Sequence, residues 1–325
     1  MADAIEKRPT GDRVLLARGR SLPLGARTYV MAILNLTPDS FSGDGVGDDV
    51  DEAVRRAAVA AEEGADIIDI GGESARADVP VRDDGEEATA VGGAVRRIAR
   101  EVDCLISADT YKRPVAEAAL QAGAHIINDI GGLLEGTGSA EAAAASGAAL
   151  VVNYTYERPK VRPNEPPRYV DLVAEHIAFL RARLAEAEAV GVAPESIIID
   201  PGIAFGKSHD EDLEILRRLG AFRALGQPLL VAASRKHFIG SVLGLPPDQR
   251  DEATAAVTAL AIAQGADIVR VHNVRTTVRV ARMADAIVRG RSGDYAATSS
   301  ASWPWARDAA PIPGTTIRRK PDGTA

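Results

Sequence analysis

The sequence predicts a (β/α)8 barrel of the TIM type, entered through an N-terminal β-hairpin. Three observations carry this. Eight short apolar runs rich in Val and Ile recur along the chain, Ala- and Arg-rich stretches of helical spacing lie between them, and nearly every apolar run ends in a polar residue. Continuous apolar runs suit strands covered on both faces, as in a parallel sheet. Eight strand–helix units close such a sheet into a barrel. An open doubly wound sheet shares the alternation and is the competing reading. The polar run ends favour the barrel, whose strands converge at a C-terminal mouth.

The elements follow in order. Before Tyr29, the segment DRVLLARGRSLPLGART sets apolar residues around RGRS and PLG turns, which predicts a hairpin plugging the end of the barrel opposite the mouth. The strand runs are TYVMAILN, DIIDIGG, CLISADT, HIINDIGG, ALVVNY, SIIIDPG, LLVAASR and DIVRVHN. Helical stretches include DEAVRRAAVAAEEG, RPVAEAALQAG, YVDLVAEHIAFLRARLAEAEAVG and DEATAAVTALAIAQG. Each closes on a glycine, Gly64, Gly123, Gly191 or Gly265, where a left-handed C-cap is expected. Residues 1–12 read as a flexible start, 13–290 as the barrel, and 291–325 as a low-complexity tail of Ser, Thr, Pro, Gly and Ala. Within that tail, Trp303 and Trp305 suggest a docking contact.

Composition narrows the function. The chain has 325 residues with 46 acidic against 38 basic side chains, a formal charge of -8 that argues against broad binding to nucleic acid or anionic membrane. Any anion site must therefore be local. A single cysteine, Cys104, excludes an intrachain disulfide and a Cys-based zinc site, as expected of a cytoplasmic protein. No apolar run reaches the ~18 residues of a membrane span. The start, MADAIEKRPTGD, is too charged for a signal peptide.

The polar run ends are Asn35, Asp69, Asp109, Asn128 with Asp129, Asn153, Asp200, Ser234 to Lys236, and Arg270 with His272. Each taken alone also reads as a strand terminus or a helix N-cap. Asn35 offers a neutral oxygen of the kind Mg²⁺ accepts alongside substrate phosphates. The Gly- and Asp-rich loop from Thr37 to Gly47 has the length of a lid. Beyond Asp69 lie Glu73, Ser74 and Arg76, the last either an anion clamp or a solvated loop arginine. Asp109, Asn128 and Asp200 form the set that a planar heterocycle with alternating donors and acceptors requires. Carboxylates pairing with nearby arginines is the structural alternative. DPGIAFGK, Asp200 to Lys207, lacks the spacing of a phosphate-binding loop, and Phe205 offers a flat wall for an aromatic ring. Lys236, Arg270 and His272 stand at the seventh and eighth strand ends, where such barrels commonly bind phosphate.

With these residues in place the chain resembles the dihydropteroate synthase family. The segments that carry the resemblance are ILNLTPDSFS, GADIIDIGGES, ISADTYKRPVAEAALQAGAHIINDIGG, IIIDPGIAFGK, SRKHFIGSVLG and GADIVRVHNV, in the family's order, within a stretch from about Tyr29 to Ile287. The resemblance implies the barrel, a homodimer, and condensation of 6-hydroxymethyl-7,8-dihydropterin diphosphate with 4-aminobenzoate to give 7,8-dihydropteroate and diphosphate in folate biosynthesis. It implies that Asp109, Asn128, Asp200 and Lys236 grip the pterin edge and that Asn35 holds Mg²⁺ and the diphosphate. Arg76, Arg270 and His272 then line the diphosphate pocket, with Ser234 and Phe205 close to the aminobenzoate. Asp109, Lys236 and Arg270 are the expected catalytic set, and Asp69 joins the substrate-binding candidates.

Three departures fall in the reacting region. Ser74, Ala75, Arg76, Ala77 and Asp78 replace the family's usual Ser-Thr-Arg-Pro-Gly, Asn153 to Glu157 replace a His or Met pair, and His237 stands where serine is usual. They leave two rivals to the synthase reading. One is a pterin-binding paralogue without turnover, favoured by the Ala75 loop. The other is a pterin-dependent methyltransferase, which leaves the TPDSF and SRK segments unexplained.

Overall fold

The computed structural model describes residues 13–37, 45, 47, 49–74, 79–161 and 167–290. The expected flexible start, the low-complexity tail with Trp303 and Trp305, most of the Thr37–Gly47 loop, and Ala75 to Asp78 lie outside the described residues.

Strands β1 (Val14–Ala17) and β2 (Arg20–Pro23) pair antiparallel through a two-residue turn, Arg18-Gly19. Both turn residues are left-handed, at φ 50° and 78°, the twist that a tight hairpin needs. Eight parallel strands follow: β3 (Tyr29–Asn35), β4 (Ile67–Gly71), β5 (Leu105–Asp109), β6 (Ile126–Asp129), β7 (Ala149–Asn153), β8 (Ile197–Asp200), β9 (Leu230–Val231) and β10 (Ile268–Val271). Each pairs with the next in the ring, and β10 returns to β3. A parallel bridge between Ile199 and Leu229 closes β8 onto β9. The predicted barrel with its hairpin is the observed fold.

Helices α1 (Val50–Glu62), α2 (Asp84–Glu101), α3 (Arg113–Ala122), α4 (Gly138–Ser146), α5 (Leu172–Ala189), α6 (His209–Arg217), α7 (His237–Leu243), α8 (Asp251–Gln264) and α9 (Val274–Val288) wrap the outside. The four glycines expected to end helices are all left-handed, with φ from 100° to 119°. At the seam, the Thr28 amide and hydroxyl donate to Asp285 of α9 at 2.7 and 2.8 Å, latching the last helix to the first barrel strand.

Alternation along each strand divides the apolar residues into two cores. Outward residues such as Ile68, Ile70, Ile106, Ile127, Leu150, Val152 and Val269 pack under the helices. Inward residues Met31, Ile67, Leu105, Ile126, Ile198, Leu230 and Ile268 fill the lower barrel, and Leu15, Ala17, Leu22 and Leu24 of the hairpin segment join that cluster. The hairpin is therefore the floor of the barrel. Its position is fixed by the Tyr29 hydroxyl donating to the Pro23 carbonyl at 2.6 Å.

Leu15 is fully buried in this floor. Leu15→Ala is expected to cost about 2–5 kcal/mol of stability, as other buried leucine truncations do. Urea denaturation measures it, and a loss below about 1 kcal/mol would mean the hairpin is not a structural plug.

Candidate active site at the barrel mouth

Above the apolar floor the inward positions become polar. The same alternation that places Ile67, Leu105, Ile126, Ile198 and Ile268 low in the barrel places Asp69, Ser107, Asn128, Asp200 and Arg270 one layer higher, with Asn35, Asp109, Asn153, Ser234 and His272 near the rim. In register, Asp109 lies beside Asn128 and Asn153 beside Asp200. Asn35, Asp109, Asn128, Asn153, Asp200, Phe205, Ser234, Lys236, Arg270 and His272 line one cavity. A second cavity, reached past Glu73, Ser74, Asp109 and Phe205, continues toward Thr155 and Lys160.

The strand-end reading needs three corrections. Asp69 is not at a strand end: β4 runs on through Gly71, and Asp69 is fully buried one layer below the mouth. Asp129 ends β6 with its carboxylate turned out of the barrel, where it accepts from the Gly131 amide at 2.8 Å and from the Ser139 hydroxyl. Arg235 turns outward too, bonding Asp251 of α8 at 2.7 and 2.9 Å. Strand parity explains Asp129, since neighbours of inward side chains face the helices; Arg235 lies in the turn beyond β9, left-handed at φ 56°, and takes its direction from that turn.

The centre of the site is an ion triad. Arg270 Nε donates to Asp69 Oδ2 and its Nη2 to Asp109 Oδ2, both at 2.6 Å. Asn128 Nδ2 donates to the same Asp69 oxygen at 3.0 Å, which leaves the amide oxygen as the acceptor it presents elsewhere. The alternative in which carboxylates pair with arginine is thus realised for Asp69 and Asp109. Asp200 is held differently, accepting from the Gly202 amide at 2.8 Å. Asp69 Oδ1 and Ser107 Oγ, adjacent in register, are both buried without a hydrogen-bond partner.

Burial pushes the Asp109 carboxyl up to about 7, against the opposing pull of Arg270. It raises Asp200 as well, and it lowers the Lys236 ammonium against the attraction of Asp200. Burial alone would lower Arg270, but Asp69 and Asp109 hold it above its ordinary value. Lys236 Nζ donates to the Ile203 carbonyl at 2.9 Å and lies 4.7 Å from the centre of the Phe205 ring. Ser234 Oγ accepts the His272 amide at 3.2 Å and sits 2.9 Å from Nδ1 of the same residue.

Sequence reasoning missed the cluster beside this cavity. Lys112 Nζ donates to Glu73 at 2.9 Å, Glu87 at 2.8 Å and the Arg82 carbonyl at 2.7 Å, and the Tyr111 hydroxyl donates to Glu73 at 2.9 Å. It ties both flanks of the 75–78 segment to α2 and α3. Its only sequence signal was the DTYK run after β5. Arg76 itself lies outside the described residues, and His237 is exposed in the first turn of α7.

Two non-glycine residues in the wall of the second cavity, Lys160 and Ala204, are left-handed. Ala204, in the turn after β8, has φ 68°, a left-handed conformation that a Cβ disfavours. Ala204→Gly is expected to stabilise the protein by about 1 kcal/mol. A thermal melt showing destabilisation would mean the alanine methyl contributes packing that outweighs its strain.

With this geometry established, comparison with known proteins gives a consistent result. The family of pterin binding enzymes matches residues 31–272. The dihydropteroate synthase of Bacillus subtilis (strain 168) is 41% identical over 277 residues, covering 85% of this chain and 94% of that protein. Among solved structures, Yersinia pestis dihydropteroate synthase with a sulfonamide drug complex superposes with a TM-score of 0.80 at 37% identity, over 86% of this chain and all (100%) of the other. Dihydropteroate synthase from Thermus thermophilus in complex with 4-aminobenzoate gives a TM-score of 0.75 at 36% identity, over 85% and 100% of the two chains. The polar mouth thus sits in a chain that belongs to the dihydropteroate synthases of the pterin binding family.

Proposed function

We propose that the mouth cavity binds 6-hydroxymethyl-7,8-dihydropterin diphosphate by its ring edge and joins it to 4-aminobenzoate. The observation that carries the residue assignment is the meeting of Asp109, Asn128, Asp200 and Lys236, from four different segments, in one cavity with Phe205 as a wall. The carboxylates accept from the pterin ring, Asn128 both gives and takes, and Lys236 donates. Asp109, Lys236 and Arg270 are the catalytic groups; Asp69, through its bonds to Arg270 and Asn128, holds them in place.

Chemically, the carbon–oxygen bond to diphosphate breaks and the electron pair leaves with the anion. The methylene carbon becomes electron-poor, the lone pair of the aryl amine bonds to it, and the amine loses a proton. Asp109 stabilises the positive charge developing on the pterin, while Arg270, His272 and Arg76 stabilise the departing diphosphate. Ser234 and Phe205 orient the aminobenzoate.

Asn35 would hold Mg²⁺. Asn35 lines the cavity, and one neutral oxygen suits an ion that takes its other ligands from phosphate and water. When bound, the ion neutralises leaving-group charge. Among the described residues no group of three or more His, Cys, Asp or Glu could hold a metal, which fits an ion carried in with the substrate.

A homodimer is supported by Leu260 of α8 with Met283 and Ile287 of α9, large apolar residues left exposed on neighbouring helices. The net charge of -8 supports small molecules rather than nucleic acid as partners. No helix among the described residues is long and apolar enough to cross a membrane. The lone cysteine supports a cytoplasmic setting.

Purified protein with Mg²⁺ and both substrates is expected to release diphosphate and form dihydropteroate, and EDTA should abolish this. Calorimetric pterin binding without turnover would instead identify a pterin-binding paralogue. Asp109→Asn should lower kcat by ~10²–10³ and weaken pterin binding more than aminobenzoate binding. Because Asp109 acts as the anion and its carboxyl is raised to about 7, kcat/KM for the pterin should climb as pH rises through that value. The limb should vanish in Asp109→Asn; its persistence would assign it to another group.

A further inference from the structure

The turn after β8 carries Asp200 at its start and presents both the Ile203 carbonyl and the Phe205 ring to Lys236. Its own conformation is unusual. Gly202, Ala204 and Gly206 alternate in left-handed geometry at φ 69°, 68° and 68°. A Cβ on Gly202 would lie 1.9 Å from the Tyr154 carbonyl oxygen and one on Gly206 2.4 Å from the Tyr156 Cβ, so the turn presses directly on the segment after β7. That segment is one of the three where the chain departs from its family's pattern. Such a backbone needs outside contacts to hold it.

Those contacts converge on Lys207. Its Nζ donates to the Phe205 carbonyl at 3.1 Å and lies 4.5 Å from the centre of the Tyr154 ring. Tyr154 is itself immobilised: it stacks on His176 of α5 with centroids 3.4 Å apart, meets Phe179 edge-on at 4.9 Å, and its hydroxyl is 3.1 Å from that of Tyr169. The Tyr169 hydroxyl donates to the Gly206 carbonyl at 3.3 Å, returning the network to the turn. On the other side, buried Asp212 accepts the Ala204 amide at 2.7 Å. Phe205 is thus held from behind by one lysine while its ring meets another.

We propose that Lys207, seated on Tyr154 and bonded to the Phe205 carbonyl, is a positioning residue that fixes the Asp200–Gly206 turn so that Asp200 and Lys236 meet the pterin edge. Lys207 touches no substrate; it acts through the turn. Burial lowers its ammonium to about 7, with the attraction of Asp212 and Asp200 opposing the fall, so its place is set by the contacts above. The proposal rests on the assignment of Asp200 and Lys236 to the pterin, so the experiment separates the two.

The kinetics of Lys207→Met, Lys207→Arg and Asp200→Asn are compared with those of the unmodified protein, varying each substrate in turn. Lys207→Met should raise the pterin KM roughly tenfold to a hundredfold, the scale of a remote misplacement, and the aminobenzoate KM by less, through Phe205, while the melting temperature stays near that of the parent. Lys207→Arg, which keeps the cation and its seat on the ring, should restore most of the loss. An unchanged pterin KM in Lys207→Met, or a parallel rise in both KM values with a fall in melting temperature, overturns the positioning role. If Asp200→Asn leaves the pterin KM unchanged, the pterin assignment fails and takes the proposal with it; if only Lys207→Met is silent, the proposal alone fails. Should Lys207→Met not fold, Tyr154→Leu removes the ring beneath the ammonium: a selective rise in pterin KM supports the proposal and an unchanged value overturns it.

Discussion

Two carboxylates share one guanidinium in the middle of the barrel, and the rest of the site is arranged around that fact. Arg270 on β10 reaches past β3 to Asp69 on β4 and Asp109 on β5. Taking three charges out of water carries a large penalty, which only close geometry and further hydrogen bonds offset. The distances of 2.6 Å and the Asn128 amide on Asp69 supply them. Removing one member of such a group typically costs ~3–5 kcal/mol, because the others stay buried without compensation. The triad therefore sets which charge faces the cavity.

That arrangement depends on a vertical gradient within the barrel. The inward positions are apolar at the floor and polar above it, where Asp69 and Asp109 pair with Arg270, and where Asn128, Asp200 and Arg270 also line the cavity. A cavity at the rim has a low-dielectric base, so fixed charges there act more strongly on a bound molecule than they would at a surface. The apolar floor contributes to chemistry only through this environment. It also explains why Asp109 and Asp200 are raised by burial although cations stand close to both.

The fold was legible because its signals are local. Apolar runs such as DIIDIGG and HIINDIGG, and glycines such as Gly123 and Gly265, encode strands and helix ends within a few residues. The mouth was legible as a set of residue types at run ends. Its internal pairing was not, since Arg270 finds partners 201 and 161 residues away in the chain. Asp69 looked like a strand end because Gly71 carries no side chain to announce that β4 continues. Asp129 was misjudged by one step of parity, Arg235 turns out through the left-handed turn beyond β9, and Lys112 draws together Glu73 and Glu87 from segments with no shared pattern. The Tyr154–Lys207 contact was hidden because its partners lie on the turns after two different strands, which no local pattern joins.

The hairpin that stoppers the lower barrel has a bearing on traffic. With Leu15, Leu22 and Leu24 filling the far end, reactants and products share a single doorway. Whatever lies deepest must enter first and depart last. On the proposed assignment, in which side chains of the inner tiers grip the bicyclic ring, that ring is the leading guest, the aryl amine the follower, and the severed diphosphate leaves by the same portal. A short ribbon at the base thereby imposes an itinerary on molecules it never touches.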